Sequence, residues 1–380
     1  MLKAYITAYP WDLIDNLDRA LDHLQGEVGI HGLHLWVSVA PVYEIRAGDV
    51  RPRVIRDGGG LTFQPEGGAL RGTSWRPIIA DWARTREAVG AIVAACESRG
   101  LDLRFALSIG EGGRVPLHHP ESACVNALGA ASQYAACPCD KEVEGYSRAI
   151  IDELSRRWGK RTLVLNDLFP AWTDHEQGRW MFPSNCGKLE KSALSVCFCE
   201  SCCRISAAGG VDVTTARRQA VAIIDRGQTV NGEAQSFTDL LTDTTALAGH
   251  LSRQWNEMTA LLTRWLTSKM ELIVSHLVSP MALASTAPDS FLATPGALLS
   301  RINSPAELSS AATDAAKRNE LEFSAGIAPS VDAAGLVALL QEVARSKFHA
   351  VNVGNYGVTT TAQLEAMRKA IRFARRSGTE

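Results

Sequence analysis

Apolar and polar positions along this chain fall into two kinds of short run that alternate from end to end. One kind is a near-continuous apolar stretch, the pattern of a strand covered on both faces; the other repeats its apolar residues at three- and four-residue spacing, the pattern of one helix face. Residues 3–8 read as a first strand, followed by Asp12 as a helix N-cap and the amphipathic run D-L-I-D-N-L-D-R-A-L-D-H-L. Residues 30–40 read as the second strand, and 84–99 as a helix closed by Gly100. L-D-L-R-F-A-L-S-I-G (101–110) is the third strand, 142–158 a helix and 162–168 the fourth strand. Helical patterns follow at 214–225 and 236–268, then strands near 271, 298, 321 and 348, and a closing helix at 360–376.

Eight strands alternating with helices predict an α/β protein built as a single (β/α)8 barrel over residues 1–380. Long excursions follow strands 2, 3 and 4, at 41–80, 111–139 and 169–203, and the last two form a Cys-rich subdomain in this reading. An open doubly wound sheet is the competing arrangement. No Gly-rich phosphate fingerprint opens any of the helices, which argues against nucleotide binding and against an organic cofactor.

Composition narrows the function class. With 46% hydrophobic and 21% charged residues and a formal net charge of -2, nothing favours nucleic acid or an anionic membrane. No apolar run reaches the roughly 18 residues of a membrane helix, and the amino terminus lacks the pattern of a signal peptide. Nine bunched cysteines speak against a secreted disulfide framework and for reduced thiols, so a cytoplasmic location is expected. Cys197, Cys199 and Cys202 form C-x-C-x-x-C, and Cys137 or Cys139 from the neighbouring excursion, Cys137 first, completes a set of four for a structural zinc ion. Cys186 and Cys203 are reserves, and a group of reduced, partly buried thiols is the plain alternative.

Strand ends are where barrel chemistry gathers, because the loops beyond them converge on one bowl. Asp167 follows the fourth strand, Glu111 the third, and Asp174 and Glu176 lie on the next loop. At Y-P-W-D (9–12), V-Y-E-I-R (42–46), H-P-E-S-A-C-V-N-A-L-G (119–129), A-C-P (136–138), C-F-C-E-S-C (197–202) and N-Y-G (355–357), the chain resembles a group of bacterial glycoside-hydrolase-like TIM-barrel proteins. The resemblance implies a carbohydrate cleft at the carboxyl-end face and a small-molecule glycoside as partner. The sequence departs from the common glycosidase layout by offering Asn166-Asp167 in place of Asn-Glu, with no carboxylate closing the seventh strand.

Glycoside cleavage requires one protonated and one ionised carboxyl. Asp167 is the expected acid, with Glu111, Asp174 or Glu176 as its partner. Tyr9, Tyr43, Trp172 and Tyr356 are the expected stacking residues. Arg46, His119, Asn126, Asn166, His276, Asn352 and Asn355 are the expected hydrogen-bonding groups. A metal-dependent sugar isomerase or epimerase and a catalytically inactive carbohydrate-binding barrel are the competing functions. A homo-oligomer is compatible with all three.

Overall fold

A computed structural model describes residues 2–47, 53–68, 70–108, 114–166, 187–229, 237–266, 272–275, 297–302, 322–327, 331–345 and 348–377. Within them lie eight strands that pair only in parallel with one another: β1 (Lys3–Ala8), β2 (Gly32–Val39), β3 (Asp102–Ser108), β4 (Leu163–Asn166), β5 (Leu272–Ser275), β6 (Ala297–Ile302), β7 (Glu322–Ile327) and β8 (Ala350–Asn355). Each is hydrogen-bonded to the next, from β1–β2 through β7–β8. The last pairs back with the first, Lys3 opposite Ala350 and Tyr5 opposite Asn352. The eight strands therefore form a hydrogen-bonded ring.

Helices stand between most of them: α1 (Leu17–Asp22), α2 (Val89–Arg99), α3 (Lys141–Trp158), then α4 (Lys188–Ser195), α5 (Glu200–Ala208), α6 (Val213–Thr229), α7 (Phe237–Asp243), α8 (Thr245–Leu266), α9 (Ala333–Arg345) and α10 (Thr361–Ser377). The segments after β5 and β6 lie outside the described residues. Helix ends follow local chemistry. Asp140 caps α3 by accepting from the backbone N–H of Glu142 and Val143 (3.0 and 3.4 Å). Gly100 ends α2 at φ 66°, a left-handed conformation that suits glycine. Asp12, read from sequence as an N-cap, lies inside the short helix Pro10–Leu13, whose N-cap is Tyr9.

The period of two along each strand separates the faces. Ala4, Ile6 and Ala8 of β1, Leu33, Leu35 and Val37 of β2, Leu103, Phe105 and Leu107 of β3, and Val351 and Val353 of β8 join one apolar core with Ile92, Ile150, Leu340 and Met367 of the helices. Truncating such a side chain to alanine costs about 2–5 kcal/mol. The alternate residues of β1–β3 face the inside of the ring, and there the lining is largely polar.

Two excursions fold as antiparallel hairpins, Val42–Ile45 with Val54–Asp57 and Ala123–Val125 with Ala131–Ala136. The described part of the third excursion, residues 187–203, forms α4 and the start of α5. With α6 to α8 these helices enclose a second apolar cluster that includes Leu194, Phe198, Ala220, Ile224, Leu247 and Leu251. Cys137, Cys139, Cys197, Cys199 and Cys202 themselves pack in the main core.

Candidate active site and metal centre

Low in the ring, Tyr5 Oη donates to Asp102 Oδ2 (2.7 Å), and Arg104 reaches both Tyr5 Oη (2.6 Å) and Asp102 (3.2 Å). The Arg104 guanidinium also lies 4.0 Å from the centre of the Tyr5 ring. His34 packs beside them, its ring 5.1 Å from that of Tyr5. Burial, assisted by the Arg104 charge, pushes its pKa down to about 3, so this imidazole is neutral. Asn352 Nδ2 donates to Thr7 Oγ1 (2.8 Å). Asn166, the last described residue of β4, is buried and donates to the Val164 carbonyl (3.3 Å).

Beyond the ends of β1 and β8 sits a feature the sequence reading passed over: two buried carboxyls, Asp12 and Glu44, set side by side. Asp12 Oδ2 accepts from the Tyr9 backbone N–H (2.9 Å). Glu44 Oε2 accepts from Trp11 Nε1 (3.1 Å) and Asn355 Nδ2 (3.3 Å). The remaining oxygens, Asp12 Oδ1 and Glu44 Oε1, are buried without a donor from another residue. Both stand at the point where a Cβ on Gly357 would be, 2.2 and 2.0 Å from it, so only glycine fits there. A proton shared between these two oxygens would satisfy both. Burial and the neighbouring Glu44 accordingly hold the Asp12 carboxyl well above its ordinary pKa, although Arg46, with Nε 3.7 Å away, pulls the other way.

Arg46 and Asn355, expected to contact substrate, are thus built into this network, and Arg46 Nη2 also donates to the Trp11 carbonyl (3.0 Å). Tyr356 follows Asn355, half-buried, its phenol pKa raised by burial and then by the Asp12 charge. In Y-P-W-D and V-Y-E-I-R each acid directly follows a large aromatic, but neither motif says that the two acids meet.

Tyr9 stacks on Trp11 (4.5 Å, 18°) and lies nearly parallel to Trp36 (6.1 Å, 19°). Trp36, on the inner face of β2, is half-buried and packs against Ala106 of β3 and Val164 of β4. His119 lies flat on Trp75 (3.9 Å, 8°) at the wall of a cavity of about 420 Å³, which Arg76, Arg84 and His118 also line. Two expected contacts are placed elsewhere. Tyr43 is 66% exposed on its hairpin, and Asn126 Oδ1 accepts from the backbone N–H of Leu128 and Ala130, both at 3.0 Å, which holds a hairpin turn. Asp167, Glu111, Asp174, Glu176, Trp172 and His276 lie outside the described residues.

The four cysteines expected to meet do meet. The sulfurs of Cys137, Cys197, Cys199 and Cys202 all lie within 4.8 Å of one another, and all four residues are buried. Cys137 and Cys202 are 3.4 Å apart, and no disulfide joins the described cysteines. Phe198 N–H donates to the Val125 carbonyl (2.6 Å), joining the two excursions. The Cys197 carbonyl accepts from Gln254 Nε2 (2.7 Å) and lies 2.8 Å from His250 Nε2. Thiol hydrogen bonds, led by that from Cys124, push Cys197 down to about 6, and Cys137 is likewise lowered. Cys124, Cys139 and Cys202 are raised, first by their contact with Cys137. A tetrahedral thiolate site with metal–sulfur bonds of ~2.3 Å has sulfurs just under ~4 Å apart, so this donor set fits a metal ion.

No family model matches the sequence, and no curated protein matches it either. In structure, the chain is similar to alpha-L-fucosidase isoenzyme 2 from Paenibacillus thiaminolyticus (TM-score 0.55, 11% identity, 100% of this chain and 50% of that one). It is also similar to the catalytic domain of beta-amylase from Paenibacillus polymyxa (TM-score 0.57, 10% identity, 97% of each chain). The chain spans half the length of the fucosidase chain. At these identities the likeness is one of fold: the chain has a mixed α/β architecture shared with enzymes named for their action on carbohydrates.

Proposed function

We propose that this chain is a glycoside hydrolase-like enzyme built on one (β/α)8 barrel, acting on a small carbohydrate or glycoside at the carboxyl-end face of its strands. The observation that carries this reading is the half-buried Trp36, stacked toward Tyr9 on one side and reaching across the ring to β3 and β4. An aromatic face in a polar-lined bowl suits a pyranose, whose ring stacks while its hydroxyls find hydrogen bonds. Glu111 and Asp167 follow β3 and β4, the strands Trp36 reaches. In this reading Asp167 gives its proton to the leaving oxygen and Glu111, or Asp174 or Glu176 on the following loop, acts as nucleophile or base. Cys137, Cys197, Cys199 and Cys202 hold a structural zinc ion, which joins the hairpin at 123–136 to the start of α5 and takes no part in turnover.

The test is a panel of aryl glycosides. Asp167→Asn should lower kcat by about two orders of magnitude or more while leaving binding intact, and Trp36→Ala should raise KM. Unchanged turnover in Asp167→Asn removes the assignment of the acid. Saccharide binding without turnover in the unsubstituted protein identifies an inactive sugar-binding barrel instead.

A further inference from the structure

Between the excursions after β2 and β3, the cavity of about 420 Å³ beside His119 gathers positive charge that the proposed reaction does not use. One wall is the segment 75–79. The Ile78 carbonyl accepts from Leu61 N–H (2.8 Å), and the Leu61 carbonyl accepts from Ala80 N–H (2.9 Å). Leu61 and Gly60 in turn pair with Ser38 and Val39 at the carboxyl end of β2. Tyr146 of α3 fixes the same wall, its Oη accepting from Ile78 N–H (3.0 Å). The other wall is the short helix Val115–His118, which follows β3. His119 N–H donates to the Val115 carbonyl (2.7 Å) to close that helix, and its ring lies flat on Trp75. The cavity thus stands on the carboxyl-end side of the ring.

No acid is among the described residues that line it. Arg76 and His118 are exposed, and neither has an acidic partner among the described residues. Arg84 Nε lies 3.3 Å from Asp81 Oδ1, but the same oxygen takes Arg114 Nη2 at 3.1 Å, so one negative charge is divided between two guanidiniums. Glu121 stands 3.4 Å from His119 Nδ1. The lining therefore carries an excess of positive charge, and a guanidinium grips a carboxylate or phosphate through two parallel N–H bonds. Pro77 and Ile79, both half-buried, add an apolar surface. Ile79 also packs against the apolar cluster that holds Trp11, as Tyr9 and Trp36 do.

We propose that this cavity binds the anionic group of an acidic saccharide, with Arg76 and Arg84 holding the charge and Pro77 and Ile79 covering the sugar ring. This rests on the glycoside reading above and names its substrate class. The space is larger than a bare inorganic anion needs and falls within the range of small-molecule sites. Ile79 sets it beside the aromatic group of Trp36 and Tyr9.

Titration calorimetry of the full chain with methyl glucuronide, glucose 6-phosphate, methyl glucoside and inorganic phosphate tests the assignment. At least one of the two acidic sugars should bind about tenfold more tightly than methyl glucoside at low salt. Which of them does so separates a carboxylate from a phosphate group. Arg76→Ala and Arg84→Ala should each remove most of that difference, whereas Arg71→Ala, an exposed charge outside the cavity, should preserve it. Equal binding of acidic and neutral sugars overturns the proposal, as does a preference that survives both cavity variants. Inorganic phosphate bound as tightly as glucose 6-phosphate, with the glucuronide no tighter than the glucoside, marks a free-anion site only and overturns the saccharide assignment. Turnover of neutral aryl glycosides without any acidic preference removes this inference alone. Absence of both turnover and sugar binding removes it together with the glycoside reading.

Discussion

Two regions of this protein bury groups that water would otherwise solvate, and they satisfy them in opposite ways. Around β1 to β3 and the end of β8, several buried polar side chains meet ones of complementary character brought by a distant part of the chain. Tyr5 meets Asp102 and Arg104, Thr7 meets Asn352, and Glu44 meets Trp11 and Asn355. Asp12 and Glu44 are the exception in kind, two acids together, and a retained proton would reconcile them. In the cysteine centre four buried sulfurs lie within 4.8 Å of one another, amid apolar side chains. Thiols are weak donors and weak acceptors, so such a cluster gains little from its own contacts and much from a cation. The first region pairs many of its polar groups within the protein; the second brings together four sulfurs with the spacing of a metal site.

That contrast can be broken most directly by removing metal. Treatment of the full chain with a strong zinc chelator should lower the melting temperature steeply and reduce the helical circular dichroism contributed by α4 to α8. Structural zinc binding is worth on the order of 10 kcal/mol in small metal-folded peptides, so even a fraction of it would be visible here. An unchanged melting temperature would mean that the thiols pack well enough alone. A smaller effect is expected from Gly357→Ala. The added methyl would stand against both carboxyl oxygens at the tightest point of the first region. Overpacking of this kind costs about 1–3 kcal/mol, measurable by urea unfolding, and a neutral result would show that the carboxyls can part at little cost.

The smallest effect is one of pH. Because the folded protein holds Asp12 above its unfolded pKa of 3.8, it binds that proton more tightly than the unfolded chain does. The resulting stability is fully present below the unfolded value and is lost as pH rises toward the folded one. Asp12→Asn, which keeps the shape of the protonated acid, should therefore flatten the fall in melting temperature from about pH 4 upward. A fall of equal steepness in the variant would show that Asp12 ionises as an ordinary carboxylate.

Much of the architecture could be read from the order of residues. All eight strand runs are strands, including the weak L-L-S-R-I-N-S, because buried parallel strands need little beyond continuous apolar residues. The helices were legible from their period, with boundaries shifted at 84–99, which begins at Val89, and at 236–268, which divides between α7 and α8. The cysteine set was legible because three of its members lie within one helical turn and its loop. The carboxyl pair was not. Asp12 and Glu44 are separated by α1 and β2, and local rules read Asp12 as a cap. Only the approach of Gly357, from the far end of the chain, puts both acids in one closed pocket. For Arg46 and Asn355 the sequence shows polar residues near strand ends and not the buried acids they face.

The pairing of Lys3 with Ala350 carries a consequence for biosynthesis. During translation β1 emerges long before β8, one of its two flanking partners. Throughout that interval its backbone donors and acceptors on that side await a neighbour, as those of any open sheet edge do. Nascent chains shortened before residue 350 should consequently be caught by chaperones or aggregate, and emergence of β8 should be the event that ends this vulnerability.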